Sequence, residues 1–390
     1  MEPWEQEKIQ RIRNQLPAAT SDIFLNTGTS GPLPIPVHQA IAAVETRDLE
    51  EGRASRPGFV KLANEIENTR IRLAEFLGAE PDELALTHHT TEGINIILWG
   101  LHWSPGDEIV TTTIEHNGVL IPLAQLRRRC GVTIRYADVG LGQPEEALSA
   151  IRRTLSPRTR LLVLSHVSYS TGAVLPLEDI VTLAHQHHIS VLVDGAQAVG
   201  AIPVNLHRLG VDYYAFPGQK WLCGPEGTGG LFIRKDRLAD IEPTFVGYRS
   251  MERYDRLTPY ALPAAGAKRF EVGTLYRPII TGLGAAVQWL ADEVGTDWAF
   301  SRIRAITQLA RQTLGQLPNV EIVTPESNQA GLLTFKLKNL PSPPFVEYAL
   351  KQRVILRSIP DNGGLRISCS FFNTEEEMAR LAELIRQYQG

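Results

Sequence analysis

Ser190-Val-Leu-Val-Asp194-Gly-Ala-Gln197 and, beyond it, Tyr213-Tyr-Ala-Phe216-Pro-Gly-Gln-Lys220-Trp221 are the two stretches on which the reading of this chain turns. Each opens with a short run that is apolar on both faces, the mark of a strand covered on both sides of a sheet. Each ends in polar residues. A carboxylate at the end of such a strand is costly unless something pairs with it. Asp194 therefore either caps the following loop or faces a bound cation. Lys220, between an apolar strand and a glycine-rich loop, is either a solvated residue or an amine whose pKa a pocket lowers.

Working outward, further strand runs are expected at 83–87, 108–113, 160–165 and 228–234. Helical patterns lie between them at 60–77, 117–129, 144–155 and 177–188. Strands alternating with helices argue for an α/β chain with a mostly parallel sheet, in which ligands bind beyond the carboxyl ends of the strands. After about residue 275 the texture changes to two long helices, short strands and a last helix from Thr374. The expectation is a large domain over 31–274 and a smaller α+β domain made of 1–30 and 275–390, because chain termini usually lie close together.

The chain has 390 residues, with 43 acidic against 39 basic, for a formal charge of −4. That balance leaves no electrostatic footprint for nucleic acid. No apolar run approaches the roughly 18 residues of a membrane span, and the charged start MEPWEQEK does not resemble a secretory signal. Three cysteines, Cys130, Cys223 and Cys369, are too few and too scattered for a disulfide framework or a zinc site. The cytosol is the expected compartment.

The strand ends carry the chemistry. Asp194, then Gln197 three residues on, then Lys220 after the next strand, form the pattern of a pyridoxal phosphate site. There the lysine carries the aldehyde as a Schiff base, and the acid keeps the ring nitrogen protonated so that the ring accepts electrons. His88-His89-Thr90-Thr91-Glu92 runs from a strand into a helix. Hydroxyls and free amides at a helix start suit a phosphate, although Thr90 or Thr91 as a plain N-cap explains them equally. The two histidines diverge in direction and lack a third ligand, so no metal is expected. His116, just past another strand, either stacks on a planar cofactor or is a surface residue.

Taken in order, these residues resemble the class V aminotransferase family of fold-type I pyridoxal phosphate enzymes, which includes cysteine desulfurases and cystine C–S lyases. The likeness spans nearly the whole chain, from Phe24-Leu-Asn-Thr-Gly28, similar to the family's Y-L-D-x-A segment, to Leu365-Arg-Ile-Ser-Cys-Ser-Phe-Phe-Asn-Thr374. The resemblance implies that Lys220 forms the Schiff base, Asp194 partners the pyridine nitrogen and Gln197 lies near the phenolic oxygen. It implies that His116 stacks on the ring and that Thr90 and Thr91 bind the phosphate. Thr274, in Arg-Phe-Glu-Val-Gly-Thr274, is implied to reach the phosphate of a neighbouring subunit in a homodimer. Arg366 is implied to bind the substrate carboxylate, a bidentate task suited to guanidinium. Gly28, in the opening segment, is implied by the same resemblance to lie beside the substrate. Where the family has S-G-H-K the chain has Pro217-Gly-Gln219-Lys220, so one hydroxyl and one histidine are missing and the Gln219 amide takes the place of the latter. Tyr169 occupies a slot where many members carry Asn.

Cysteine desulfurases carry a mobile loop with a nucleophilic cysteine. Here Arg357-Ser-Ile-Pro-Asp-Asn-Gly-Gly-Leu-Arg366 is short and has none. Cys369 falls in a predicted strand and Cys223 in a tight loop. Without a thiolate acceptor, the expected reaction is β-elimination on cysteine or cystine, giving pyruvate, ammonia and sulfide or persulfide, with Arg357 near the distal carboxylate of cystine. Rival readings are a desulfurase-like or aminotransferase activity on another amino acid, and an idle scaffold for a sulfur-carrier partner.

Overall fold

Along Ser190–Asp194, alternation sends Val191 and Val193 into one buried cluster and Leu192 into another, on opposite faces of a sheet. This is the burial on both sides that the uninterrupted apolar run requires. The computed structural model describes residues 2–258, 260–327 and 330–389. Its central sheet comprises β1 (Leu84–Thr87), β2 (Glu108–Thr112), β3 (Thr133–Ala137), β4 (Thr159–Ser165), β5 (Ser190–Asp194), β6 (Tyr213–Pro217) and β7 (Gly229–Ile233). The spatial order is β1-β7-β6-β5-β4-β2-β3. Pairings from β6 through β3 are parallel, whereas β7 runs antiparallel to both β6 and β1.

Two features of the sheet differ from the sequence expectation. The reversed β7 has the same apolar signature as its neighbours, so strand direction left no trace in composition. Edge strand β3 was not expected, because its side chains are mostly exposed or half-buried and its pattern is weak. An exposed hairpin, Met251–Asp255 with Tyr260–Pro263, also lacks a core face and carries no periodic signal.

Beyond residue 275, helix Arg277–Gln288 packs against helices Ile35–Glu51 and Arg56–Leu77. A second sheet follows: β8 (Val320–Ile322), β9 (Leu332–Leu337), β10 (Arg357–Ile359) and β11 (Gly364–Ser368), antiparallel in the order β8-β9-β11-β10. Its core is closed by helix Glu375–Gln387, capped by Thr374 in a capping box with Glu377. Ile23–Phe24 pairs in parallel with Val354–Ile355, and the Ser368 amide donates to the Leu25 carbonyl at 2.8 Å. The segment preceding residue 30 is thereby tied to this second sheet, although Ile12 and Leu16 pack into the large cluster. Among the described residues, no helix is long and apolar enough to cross a membrane.

The Arg269–Thr274 segment is anchored by one buried ion pair. Arg70 Nη1 lies 2.6 Å from Glu271 Oε1, with both side chains almost fully buried, and the same oxygen accepts from the Leu86 amide at 3.0 Å. Removing Glu271 leaves the buried Arg70 guanidinium with only the more exposed Glu67, 3.3 Å from its Nε, as counter-charge. Glu271→Ala is therefore expected to lower unfolding stability by about 3–5 kcal/mol, measured as the displacement of the urea transition.

Candidate active site

β3 follows β2 on one side of it and β4 follows on the other, so the connections diverge beyond the carboxyl ends of β2 and β4 and leave a crevice. A cavity of about 270 Å³ opens there. Lys220, Asp194, Gln197, Gln219, His116, Thr90, Thr91, Gly28, Arg357 and Arg366 all line it. Thr274 does not. It is exposed, and its hydroxyl meets the Tyr248 hydroxyl at 2.7 Å, outside the cavity.

Asp194 is the last residue of β5 and Lys220 lies three residues past β6, the neighbouring parallel strand. Asp194 Oδ1 accepts from the Ala196 amide at 2.9 Å, and its other oxygen has no protein donor among the described bonds. Burial raises the pKa of Asp194, while Lys220 opposes the rise. Lys220 is brought down to about 8, first by burial and further by Arg366 and Arg357, against the pull of Asp194. The two charges influence one another yet form no ion pair, which leaves room between them. The loop holding Lys220 needs a glycine opposite: a Cβ on Gly31 would sit 2.3 Å from the Lys220 carbonyl oxygen.

His116 caps helix Asn117–Cys130, its Nδ1 accepting from the Gly118 amide at 3.0 Å. Nδ1 is thus an acceptor, and the hydrogen of the neutral ring sits on Nε2. Burial, with Lys220 nearby, holds its pKa below the usual value, so the neutral form is favoured. Tyr169 meets its ring edge-on at 4.7 Å between centroids.

At the other end of the cavity, helix Thr90–Gly100 starts at Thr90, but neither threonine is its cap. His89 is, through a 3.0 Å bond from the Glu92 amide to its Nδ1. This removes the plain N-cap alternative for Thr90 and Thr91 and leaves both hydroxyls out of the capping bond, beside first-turn amides that have no intrahelical acceptor. His88 instead faces Glu92, at 2.9 Å. The sequence reading missed His89 as a cavity residue because histidine is an uncommon cap.

The arginines come from a hairpin. Arg357 on β10 and Arg366 on β11 are directly opposite in register, which puts both side chains on one face. Like charges opposed in this way repel, and Arg357 helps burial bring Arg366 down to about 9. Arg366 donates to the Tyr169 carbonyl at 3.0 Å and, with Arg357, to the Thr29 hydroxyl at 3.3 Å. It is 1% exposed and, among the described residues, meets no acid and has no partner at its Nε. A buried, unneutralised guanidinium is an anion site awaiting its anion. Gln219 Oε1 is likewise buried and unpartnered. Gln197 is committed on both sides, donating to the Gly28 carbonyl at 2.8 Å and accepting from Trp221 Nε1 at 2.9 Å. An anion-binding helix start, a lone carboxylate oxygen, an amine and an unpaired guanidinium fit pyridoxal phosphate with an amino acid beside it.

A sequence model of the aminotransferase class-V family matches residues 23–381, and the chain belongs to that family. A cysteine desulfurase from Cronobacter sakazakii is 30% identical over 97% of this chain and 98% of its own length. The isopenicillin N epimerase of Streptomyces clavuligerus is 29% identical over 94% of this chain and 95% of its own. Among solved structures, the cystine C–S lyase C-DES in complex with its reaction product cysteine persulfide is 35% identical, with a TM-score of 0.92 over 96% of this chain and 100% of that one. A mutant of C-DES with glycine covalently linked to the PLP cofactor gives a TM-score of 0.93 at 35% identity, over 97% of this chain and 99% of that one. The chain thus has the fold-type I architecture expected from its sequence.

Acylation of Lys220 by an amine-selective reagent, followed by mass spectrometry against pH, is expected to titrate near 8 rather than 10.5. Asp194→Asn moves that midpoint down, because it removes the anion that favours the ammonium. Arg366→Met moves it up, because it removes a repelling cation.

Proposed function

We propose that the chain is a pyridoxal phosphate-dependent C–S lyase that cleaves cysteine or cystine by β-elimination, mobilising sulfur. One observation carries the choice of reaction: two arginines converge on the cavity, yet none of Cys130, Cys223 or Cys369 lines it. Cys223 and Cys369 are wholly buried, and burial pushes both thiols up to about 12, so neither offers a thiolate. The hairpin that brings Arg357 opposite Arg366 is closed by a short turn, Pro360–Asn362, whose Asn362 side chain donates to the Ser170 carbonyl at 3.1 Å. It is a pinned turn where a swinging loop would be needed to deliver a thiol.

Pyridoxal phosphate, when bound, supplies an aldehyde that captures an amine and a cationic ring that accepts an electron pair. Thr90, Thr91 and the first-turn amides hold the phosphate, with the Gln219 amide beside them. Asp194 keeps its free oxygen for the ring nitrogen. The His116 ring lies against the cavity and donates only through Nε2. Arg366 takes the substrate α-carboxylate and Arg357 the second carboxylate of cystine. Lys220, lowered toward neutrality, would hold the aldehyde of the bound group and, as a free amine, is the base placed to take the substrate Cα proton. Loss of that proton and of the Cβ–S bond, followed by hydrolysis, converts cystine and water to pyruvate, ammonia and cysteine persulfide.

The same proposal includes a homodimer with shared sites. Thr274 lies outside its own cavity among exposed Tyr248, Phe245 and Val272, where it is available to a second copy. The sulfur passes to an acceptor in the cytosol, a compartment consistent with three free cysteines.

Incubation with cystine is expected to yield pyruvate and persulfide in equal amounts. Amino transfer from alanine to a keto acid, or persulfide lodged on the protein, would displace this reading. Cys223→Ala and Cys369→Ala should each keep turnover of the folded protein within about three-fold, whereas Lys220→Ala abolishes turnover. Arg366→Ala is expected to cost about 2–5 kcal/mol in kcat/KM, read from initial rates.

A further inference from the structure

Glu115 is buried directly behind His116, 4% exposed, with no basic side chain paired to it among the described residues. Thr112 Oγ1 donates to its Oε1 at 2.6 Å and Ser165 Oγ to its Oε2 at 2.5 Å. Those two hydroxyls end β2 and β4, the strands that frame the crevice. Ser165 stands in register with Asp194 across the β4–β5 pair and lines the cavity. One hydroxyl therefore joins a hidden acid to the wall of the site.

We propose that Glu115 is a positioning residue of the cofactor site, exchanging its proton against the direction of the Ser165 hydroxyl. This rests on the reading that the cavity holds pyridoxal phosphate. When Glu115 is ionised, both hydroxyls donate to it. When it is protonated, its own O–H needs an acceptor. Thr112 Oγ1 already accepts from the Ile114 amide at 3.4 Å and is wholly buried. Ser165 is then the hydroxyl that accepts, and its hydrogen turns toward the cavity. The proton is conserved: Glu115 keeps the proton it gains as its own O–H, which donates a hydrogen bond to Ser165 Oγ, and the Ser165 hydrogen stays on its oxygen and points into the site.

The charges around Glu115 make both states accessible. Asp194 is the anion that faces it, and two buried carboxylates near one another resist ionising together. Asp194 ionises against Lys220 or a cationic ring, which leaves Glu115 as the acid that retains a proton. The adjoining His116 ring is neutral-leaning and Lys220 is the nearest amine lining the cavity. Burial first, then Asp194, raises the Glu115 pKa to about 7, while the Ser165 and Thr112 hydroxyls oppose the rise.

The test is the visible absorbance of the holoprotein followed across the neutral pH range. Wild type is expected to show an inflexion near the Glu115 midpoint. Glu115→Gln, uncharged at every pH and similar in shape, should lose it, as should Ser165→Ala, while the band at pH extremes persists. A wild-type spectrum without a neutral inflexion, or a Glu115→Gln titration that overlays wild type, overturns the proposal. If Glu115→Gln gives no folded holoprotein, Ser165→Ala decides alone, and an unchanged inflexion there overturns it. Absence of any cofactor band in the wild-type protein would instead overturn the reading of the cavity.

Discussion

Two opposite charges, the Asp194 carboxylate and the Lys220 amine, are buried in one cavity and held apart. Each alone would be costly to bury, and in contact they would merely neutralise one another. Adjacent parallel strands β5 and β6 fix the separation: Asp194 ends one, and Lys220 lies just past the other on a loop pressed against Gly31. The remaining charges depend on that gap. Arg366, buried without an acid partner among the described residues, and Arg357 opposite it line the same cavity as the carboxylate. Such an arrangement is stable only as a receptor for a molecule that brings both an anion and a cation.

The second sheet contributes by rigidity. Its hairpin presents both guanidinium groups to the cavity, and the segment around Thr29 receives a bond from each. Gln197 ties that segment to the cofactor loop, bonding the Gly28 carbonyl on one side and the Trp221 indole on the other. The opening segment of the chain, the hairpin and the lysine loop are thus a single hydrogen-bonded unit, and a change in one is felt at the amine. Distance in sequence is no guide here, since Gly28 and Trp221 are brought together only by the packing of the two sheets.

Within a family whose relatives bear names as different as desulfurase and epimerase, the fold does not select the reaction. Selection falls to a few local features. A thiol delivered on a loop would open a transfer route. In this chain the corresponding turn is short and bonded down, Cys223 and Cys369 are sealed in the core, and half-buried Cys130 does not line the cavity. What is left is an amine of moderate basicity, a neutral-leaning imidazole and two arginines, a set suited to removing a proton and letting sulfur depart.

Much of this was legible in the sequence. The uninterrupted apolar runs fixed β4, β5 and β6 because full burial on both faces leaves no other composition open to them, and strand ends are where parallel sheets place their chemistry. Asp194, Gln197 and Lys220 could be singled out because charged and amide side chains next to such runs are anomalous, whereas Arg366 and Arg357 came only from the family resemblance and the chemistry it implies. The reversal of β7, the exposed edge β3 and the His89 cap were not legible, because a strand's direction, a weakly patterned edge and an unusual cap leave no periodic signal. Nor did sequence disclose that Glu115 backs onto Asp194 through Ser165, since those residues belong to three separate segments that meet only in the sheet. By itself the sequence determined which residue types lie at the strand ends, for burial dictates that pattern locally. Only the tertiary structure decided which of them face one another, because register and crossover geometry set the distances on which their charges act.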